Sequence, residues 1–202
     1  MSRKDRSQAN YSRPRQHSVR PTRDSFLIFC EGETEVGYFS SFKKRAKRIA
    51  GGNALKIVEN AVAYKAGMEK KVDQYWVVFD KDETTDEQFS QAIRLAEASN
   101  IRVAWSNQAF ECWIILHYRE FKYACHRNEY ESILKRFIPE YSSREKSEEQ
   151  GRRLHLQTAS LLPAALQNAK NGHTSFHPDL PDANKQTSTL IYTLVEAILQ
   201  HS

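Results

Sequence analysis

The stretch YWVVFDKDE, residues 75–83, carries the strongest strand pattern in the chain and ends in an acidic loop. Aromatic and β-branched residues dominate positions 75–80, which is typical of a strand covered on both faces. A second apolar run without alternation, SFLIFC at 25–30, also ends in an acidic segment, EGETE. The two runs predict buried strands of one parallel sheet, each followed by carboxylates.

Helix and strand patterns alternate around these two runs. Further strands are predicted at 54–60 and 101–106, and helices at 36–50, 63–73 and 86–98. Strands that alternate with helices are typical of βαβ units and a parallel sheet. The sequence therefore predicts an α/β fold with a small parallel sheet of about four strands, flanked by helices.

After Ser106 the strand patterns stop and helical spacing takes over. Helices are predicted at 110–118, 129–137, 154–170 and 188–199, with polar connections at 142–150 and 171–185. A chain of 202 residues suits one domain. We therefore predict a single domain over 24–202, with the sheet in 24–106 and a mainly helical part in 107–202.

The formal net charge of +5 is concentrated at the start of the chain. Residues 1–23 contain seven basic residues and one acidic residue, whereas the remainder is nearly neutral. This segment has no apolar pattern, so it is predicted to be a disordered basic arm. It suits a solubilising leader as well as a nucleic-acid contact, so net charge alone does not predict nucleic-acid binding.

Composition argues against a membrane or secreted protein. Mean hydropathy is −0.69, and no apolar run approaches the roughly 20 residues that span a bilayer. The basic N-terminal segment has no apolar core behind it, unlike a secretory signal. The three cysteines follow no disulfide-like or metal-like spacing. The sequence therefore predicts a cytoplasmic protein with reduced thiols and no membrane partner.

The two acidic segments hold the candidate functional residues. If a helix starts after the first strand, Glu31 and Glu35 lie one turn apart and face the same point, whereas Glu33 points elsewhere. In the second segment, Asp80 and Asp82 share one face of the strand end. Because the carboxyl ends of parallel strands meet at one edge of a sheet, the two groups are expected to converge.

Carboxylates that converge repel one another unless a cation lies between them. A set of hard oxygen ligands selects Mg²⁺ or Mn²⁺ rather than zinc. Each segment alone is also consistent with a purely structural role, because acidic residues favour helix N-termini and turns after strands. The occurrence of both segments at the ends of strands of one sheet favours a metal site.

A basic stretch follows the first acidic segment. Lys43, Lys44, Lys47 and Arg48 lie in the predicted helix at 36–50, opposite its apolar positions. Such a face is often merely solvated. Because the predicted helix begins at the candidate metal site, these residues are also candidates for guiding a nucleic-acid backbone.

Four segments in order resemble the RloB-like family of small bacterial proteins with a Toprim-like fold. They are EGETEVGYF (31–39), VVFDKDE (77–83), SNQAFECWIILHY (106–118) and STLIYTLVEAIL (188–199). The resemblance runs from about Arg23 to the C-terminus. The chain departs from it at Gln108, where the family often has Pro, and at Gln186-Thr187, where Asn-Pro is common.

The resemblance implies a role for each acidic residue. Glu31 would be the general acid/base or first metal ligand, and Glu35 an accessory ligand. Asp80 and Asp82 would hold Mg²⁺, and Glu111 would complete the site.

At the level of function, the resemblance implies a Mg²⁺-dependent nuclease acting on DNA or RNA. It would be the effector of a bacterial anti-phage or restriction-linked system with an AAA/ABC-type ATPase partner. A non-catalytic metal-binding or partner-binding subunit is the alternative. Nucleotidyl transfer is disfavoured, because 202 residues are few for a sheet domain and an additional nucleotide-selecting domain. The sequence leaves the oligomeric state open.

Overall fold

The computed structural model describes residues 24–81, 84–121, 126–174 and 188–201. The predicted basic arm, 1–23, lies outside the described residues. The four strands are β1 (Phe26–Cys30), β2 (Arg45–Arg48), β3 (Gln74–Asp80) and β4 (Arg102–Ser106). They pair in parallel in the order β2-β1-β3-β4. The predicted α/β fold with a four-stranded parallel sheet is confirmed.

Helices flank the sheet and make up the C-terminal half. They are α1 (Glu33–Ser40), α2 (Ala54–Ala66), α3 (Asp86–Ala98), α4 (Glu111–Ile115), α5 (Tyr130–Leu134), α6 (Glu148–Thr158), α7 (Leu162–Thr174) and α8 (Ile191–Gln200). Short 3₁₀ turns lie at Arg127–Glu129 and Ala159–Leu161. The helices from α4 onward all follow β4, which confirms the predicted helical C-terminal half. None of the helices in the described ranges combines the length and apolar character needed to cross a bilayer.

Both faces of the sheet are covered by apolar layers. Side chains alternate along a strand, so Ile28 and Cys30 enter the layer with α1 and the C-terminal helices. Leu27 and Phe29 enter the opposite layer with α2 and α3. All five residues of β1 are buried, which explains why its sequence shows no polar alternation.

The prediction of a single helix over 36–50 is wrong. Helix α1 ends at Ser40, and the chain turns at Lys43, whose φ of 59° lies in the left-handed region. It then re-enters the sheet as β2, with Arg45 paired to Leu27 and Arg48 paired to Cys30. The apolar spacing that looked helical comes from separate contacts in α1, the turn and the strand.

The strand predicted at 54–60 is also wrong, because this segment begins helix α2. The side chain of Asn53 caps the helix by accepting a hydrogen bond from the N–H of Lys56 at 2.9 Å. The buried positions Ala54, Ile57, Val58 and Ala61 follow helical spacing. The helix predicted over 63–73 is consequently misplaced, since α2 ends at Ala66.

Other helix boundaries were predicted more closely. Helix α3 occupies 86–98 as predicted, and the side chain of Thr85 caps it by accepting the N–H of Gln88 at 3.3 Å. Helix α6 begins inside the segment predicted as a polar connection, because Ser147 caps it through the N–H of Gln150 at 3.1 Å. The single helix predicted over 154–170 is divided, since α6 ends at Thr158 and α7 begins at Leu162 after a 3₁₀ turn.

Helices α1 and α6 cross with their backbones in close contact. A Cβ atom at Gly37 would lie 1.9 Å from the carbonyl oxygen of Glu148, and one at Gly151 would lie 2.0 Å from that of Thr34. A side chain at either glycine would separate the helices. This crossing fixes the start of α6 beside the start of α1, at the end of the sheet where the acidic segments lie.

The carboxyl end of β4 is attached to the segment before α8. Ser106 forms an isolated antiparallel bridge with Thr189, and their hydroxyl oxygens are 2.9 Å apart. The N–H of Asn107 donates to the carbonyl of Ser188 at 2.9 Å. These contacts join the C-terminal helix to the edge of the sheet.

Candidate functional site

The sheet brings Glu31 and Asp80 to the same edge. Strands β1 and β3 are neighbours, with Cys30 paired to Val78, so the residues that follow them emerge side by side. The N–H of Glu31 donates to the carbonyl of Val78 at 3.2 Å. The N–H of Asp80 in turn donates to Oε2 of Glu31 at 3.2 Å. One oxygen of the Glu31 carboxylate is therefore fixed by the backbone of β3.

Glu35 reaches the same place from the first turn of α1. Its side chain folds back over Gly32, where an added Cβ would lie 2.5 Å from Oε2 of Glu35. The residue is only 7% exposed. Glu33 also lines the cavity that these residues share, at its border, and lies 3.7 Å from a guanidinium nitrogen of Arg48. The predicted convergence of Glu31 and Glu35 agrees with the structure, whereas Glu33 does not point wholly elsewhere.

Glu111 joins the group from the start of α4. The hydroxyl of Tyr141 donates to Oε1 of Glu111 at 2.7 Å. Glu31, Glu35, Asp80 and Glu111 line one cavity of about 180 Å³; we refer to these four residues as the acidic cluster. Asp82 lies outside the described residues, so its predicted role stays a prediction.

A buried hydrogen-bond group joins the helices that carry Glu35 and Glu111. The indole N–H of Trp113 donates to the hydroxyl of Tyr38 at 3.0 Å, and Nε2 of His117 lies 3.3 Å from the same hydroxyl. Burial lowers the pKa of His117 to about 4, so the ring is neutral at physiological pH. This group fixes α1 against α4, and with it the relative position of the two glutamates.

In the absence of a cation, the negative charges of the acidic cluster repel one another. Burial raises the pKa of Asp80 well above its usual value, and the charges of Glu35, Glu31 and Glu111 raise it further. Burial also raises the pKa of Glu35 to about 7, with Glu111 and Glu31 adding to the shift. Carboxylates that are buried together bind protons more tightly, and a bound cation would compete with those protons.

The donor set fits Mg²⁺ or Mn²⁺, because it consists of carboxylate oxygens without sulfur or imidazole ligands. Within the part of the chain that the structure describes, no three His, Cys, Asp or Glu side chains are already arranged as a metal site. The predicted metal ligands stay predictions on this point.

The predicted nucleic-acid-binding residues do not share a helix face, so that part of the interpretation is wrong. Arg48 lies at the carboxyl end of β2, and its Nε donates to the carbonyl of Glu31 at 3.4 Å. Lys44 precedes the opposite end of the strand, and its Nζ donates to the carbonyl of His201 at 3.1 Å. Lys47 lies over the ring of Tyr64, and Lys43 occupies the turn before β2. Arg48 is the member of this set that borders the acidic cluster.

Sequence reasoning missed several cavity residues, including Arg127, Tyr141 and Lys146. Arg127 lies in a 3₁₀ turn, and Lys146 lies just before the cap of α6. These residues occur in polar stretches between helices, where residue type and spacing carry no signal of their own. Lys146 reaches the cavity because α6 packs on α1.

Glu35→Gln is expected to raise the melting temperature of the metal-free protein at about pH 8, with little effect near pH 4.5. The folded pKa of about 7 lies above the ordinary value of 4.5. The folded state therefore binds the extra proton between these values, and stability falls as the pH rises through about 7. Removing the carboxylate removes a penalty of about 3 kcal/mol.

This result can be measured by calorimetry in EDTA over a series of pH values. Glu33→Gln is the matched control, since it changes the same chemical group two residues away. A difference between Glu35→Gln and wild type that does not vary with pH would contradict a buried, ionising Glu35.

Comparison with known proteins identifies the family. The family model described as RloB-like protein matches residues 26–198, which include every strand and the acidic cluster. Neither the curated proteins nor the solved structures contained a match. The chain belongs to the RloB-like protein family.

Proposed function

We propose that this protein is a Mg²⁺- or Mn²⁺-dependent nuclease of Toprim type that hydrolyses phosphodiester bonds in DNA or RNA. The observation that carries the proposal is the acidic cluster, whose four carboxylates line one cavity at the carboxyl ends of β1 and β3. Sites of open α/β sheets form at this edge. The raised pKa values of Asp80 and Glu35 support a cation-binding role, because a cation would stabilise their ionised forms.

Glu31, Asp80 and Asp82 would hold the metal, with Glu35 and Glu111 as accessory ligands. A divalent ion bound there would neutralise phosphate oxygens and lower the pKa of the attacking water. The protein's own contribution is positional. The N–H of Asp80 orients the carboxylate of Glu31, and the hydroxyl of Tyr141 orients that of Glu111. With its orientation fixed, Glu31 can also transfer a proton during cleavage.

The biological setting is proposed from family membership and the resemblance. The nuclease would act in the bacterial cytoplasm as the effector of an anti-phage or restriction-linked system. An AAA/ABC-type ATPase would be its partner and control when it cleaves.

A non-catalytic, metal-binding or partner-binding subunit is the second candidate. The observation in its favour is that the described acidic side chains are not already arranged as ligands. Against a subunit that binds only a partner, burial and neighbouring carboxylates raise the pKa values of Asp80 and Glu35, so the ionised forms of these two residues destabilise the fold at neutral pH. A binding module would have no use for such a cluster unless it binds a cation.

The decisive comparison is between Glu31→Gln and Glu33→Gln. Both changes remove one carboxylate at the start of α1, but Glu31 faces the cluster whereas Glu33 lies beside Arg48. Glutamine at position 31 can still accept the N–H of Asp80. Labelled single-stranded and duplex DNA, tRNA and unstructured RNA are incubated with each protein in Mg²⁺, Mn²⁺ or EDTA, with and without the ATPase.

Wild type is expected to cleave at least one substrate in Mg²⁺ or Mn²⁺ and none in EDTA. Glu31→Gln should lose roughly a hundredfold or more in rate, and Glu33→Gln should stay within a few-fold of wild type. Equal activity of the two variants would exclude Glu31 from the chemistry. Metal binding by calorimetry without cleavage of any substrate would favour the non-catalytic subunit.

A further inference from the structure

The cavity of the acidic cluster has a second, basic wall. Its residues come from the 3₁₀ turn Arg127–Glu129 and from the loop before α6. The cations among the described residues lining the cavity are Arg127 and Lys146. Carboxylates and cations therefore face the same small volume from different parts of the chain.

The ion pairs around the cavity separate this basic wall from nearby surface charges. Two further lining carboxylates have partners on other elements: Glu33 lies 3.7 Å from Arg48, and Glu145 lies 2.6 Å from Arg153. Lys81, next to Asp80, is paired with Asp86 at 2.9 Å. These pairs leave the four members of the acidic cluster facing two cations.

Both cations line the same cavity as the four carboxylates. Arg127 reaches it from the 3₁₀ turn Arg127–Glu129, and Lys146 from the position just before the cap of α6. The two cations therefore lie within electrostatic reach of the acidic cluster. The four carboxyl groups outnumber these two cations, so in their ionised form they favour an added cation in the cavity.

A direct contact fixes the turn that carries Arg127. The backbone N–H of Arg127 donates to Oε1 of Gln108 at 2.8 Å. Gln108 lies between β4 and α4, the helix that begins at Glu111. The side chain of Gln108 thus links the segment that carries Glu111 to the segment that carries Arg127.

We infer that Arg127 and Lys146 form a phosphate-binding wall opposite the acidic cluster, and that Gln108 positions Arg127. Guanidinium and ammonium groups bind phosphate oxygens through charge-assisted hydrogen bonds. The identification of the anion as a phosphate of a nucleic-acid strand rests on the proposed nuclease function. A divalent ion bound by the carboxylates would add positive charge to the same cavity and strengthen its attraction for the anion.

The test measures binding, not cleavage. Arg127→Gln, Lys146→Gln and Gln108→Leu are compared with wild type for affinity to a fluorescent single-stranded DNA oligonucleotide, in Ca²⁺ and in EDTA, over a range of salt concentrations. Arg136→Gln and Arg144→Gln are the matched controls, because these exposed arginines lie nearby in sequence but do not line the cavity. Circular dichroism and melting temperature report on the fold of each variant.

Arg127→Gln and Lys146→Gln should each weaken binding in Ca²⁺ roughly tenfold. The salt dependence of the logarithm of affinity should become shallower by about one unit per removed cation. Gln108→Leu should weaken binding less, and should add little to Arg127→Gln in the double variant, because both changes act through the same group. The two control variants should bind within about threefold of wild type.

Two results would overturn the inference. One is wild-type affinity in folded Arg127→Gln and Lys146→Gln variants, and the other is a wild-type protein that binds no oligonucleotide in Ca²⁺. If the first occurred while Glu31→Gln still abolished cleavage, the nuclease proposal would stand without the basic wall. If the cavity variants lost binding but wild type cleaved nothing, the wall would stand and the nuclease proposal would fail.

Discussion

Asp80→Asn is expected to reduce cleavage by roughly a hundredfold or more, while raising the melting temperature of the metal-free protein. Burial and three neighbouring carboxylates raise the pKa of Asp80 above its ordinary value of 3.8. Its ionised form is therefore destabilising in the folded state at neutral pH. Asparagine removes this charge but keeps the shape of the side chain and the backbone N–H that holds Glu31.

Calorimetry in EDTA and in Mg²⁺ separates the two effects. In EDTA the variant should unfold at a higher temperature than wild type, and Mg²⁺ should stabilise wild type more than the variant. Asp86→Asn is the control, because Asp86 is an exposed residue paired with Lys81 in the first turn of α3. That change should lower stability slightly, through the lost ion pair and helix-dipole contact. A fully active Asp80→Asn protein would exclude Asp80 from the chemistry.

Gly37→Ala is expected to lower the free energy of unfolding by about 3 kcal/mol. The added methyl group would lie 1.9 Å from the carbonyl oxygen of Glu148, and that atom belongs to the backbone of α6. A flexible side chain could move aside, but here the two helices must separate. The loss outweighs the gain of roughly 1 kcal/mol that alanine usually brings to a helix.

Gly172→Ala provides the matched control, since Gly172 also lies within a helix and an added Cβ there meets no atom within 4 Å. It should leave stability unchanged or raise it by up to about 1 kcal/mol. Urea denaturation with both variants measures the difference. Equal midpoints for the two variants would mean that the crossing of α1 and α6 tolerates an extra methyl group.

The parts of the fold that could be predicted from sequence are the ones buried on both faces. Strands β1 and β3 consist of apolar runs without alternation, and their short length and their aromatic and β-branched residues favour a strand over a buried helix. Their parallel pairing followed from the alternation of strands with helices. The prediction of an α/β sheet with a helical C-terminal half rested on these two features.

Strand β2 could not be predicted from its own residues. Strand β2 has four residues, three of them basic, and it is held in place by pairing with β1. Such a sequence has no intrinsic preference for a strand, so tertiary contacts decide its conformation. The strand was instead predicted at 54–60, where the β-branched residues Ile57 and Val58 favour a strand. The buried positions of that segment, however, follow helical spacing.

The candidate site likewise has a part that sequence predicted and a part that it missed. The structure brings together Glu31, Glu35, Asp80 and Glu111, as expected for residues that follow strands of one parallel sheet. The basic wall was missed because Lys146 is brought there by packing between helices that are distant in sequence. The structure also gives a role to Gln108, where the family often has Pro. Its side chain accepts a hydrogen bond from the N–H of Arg127, a contact that the sequence does not reveal.

The charged edge of the sheet has a consequence for self-association. Strand β2 is the outer strand on one side, and Arg45, Lys47 and Arg48 are exposed along it. On the other side, the end of β4 is already bridged by Thr189. Two copies that met through their β2 edges would bring like charges together along the whole contact. Joining sheets into a continuous intermolecular ladder is therefore disfavoured, and this architecture resists aggregation by strand addition.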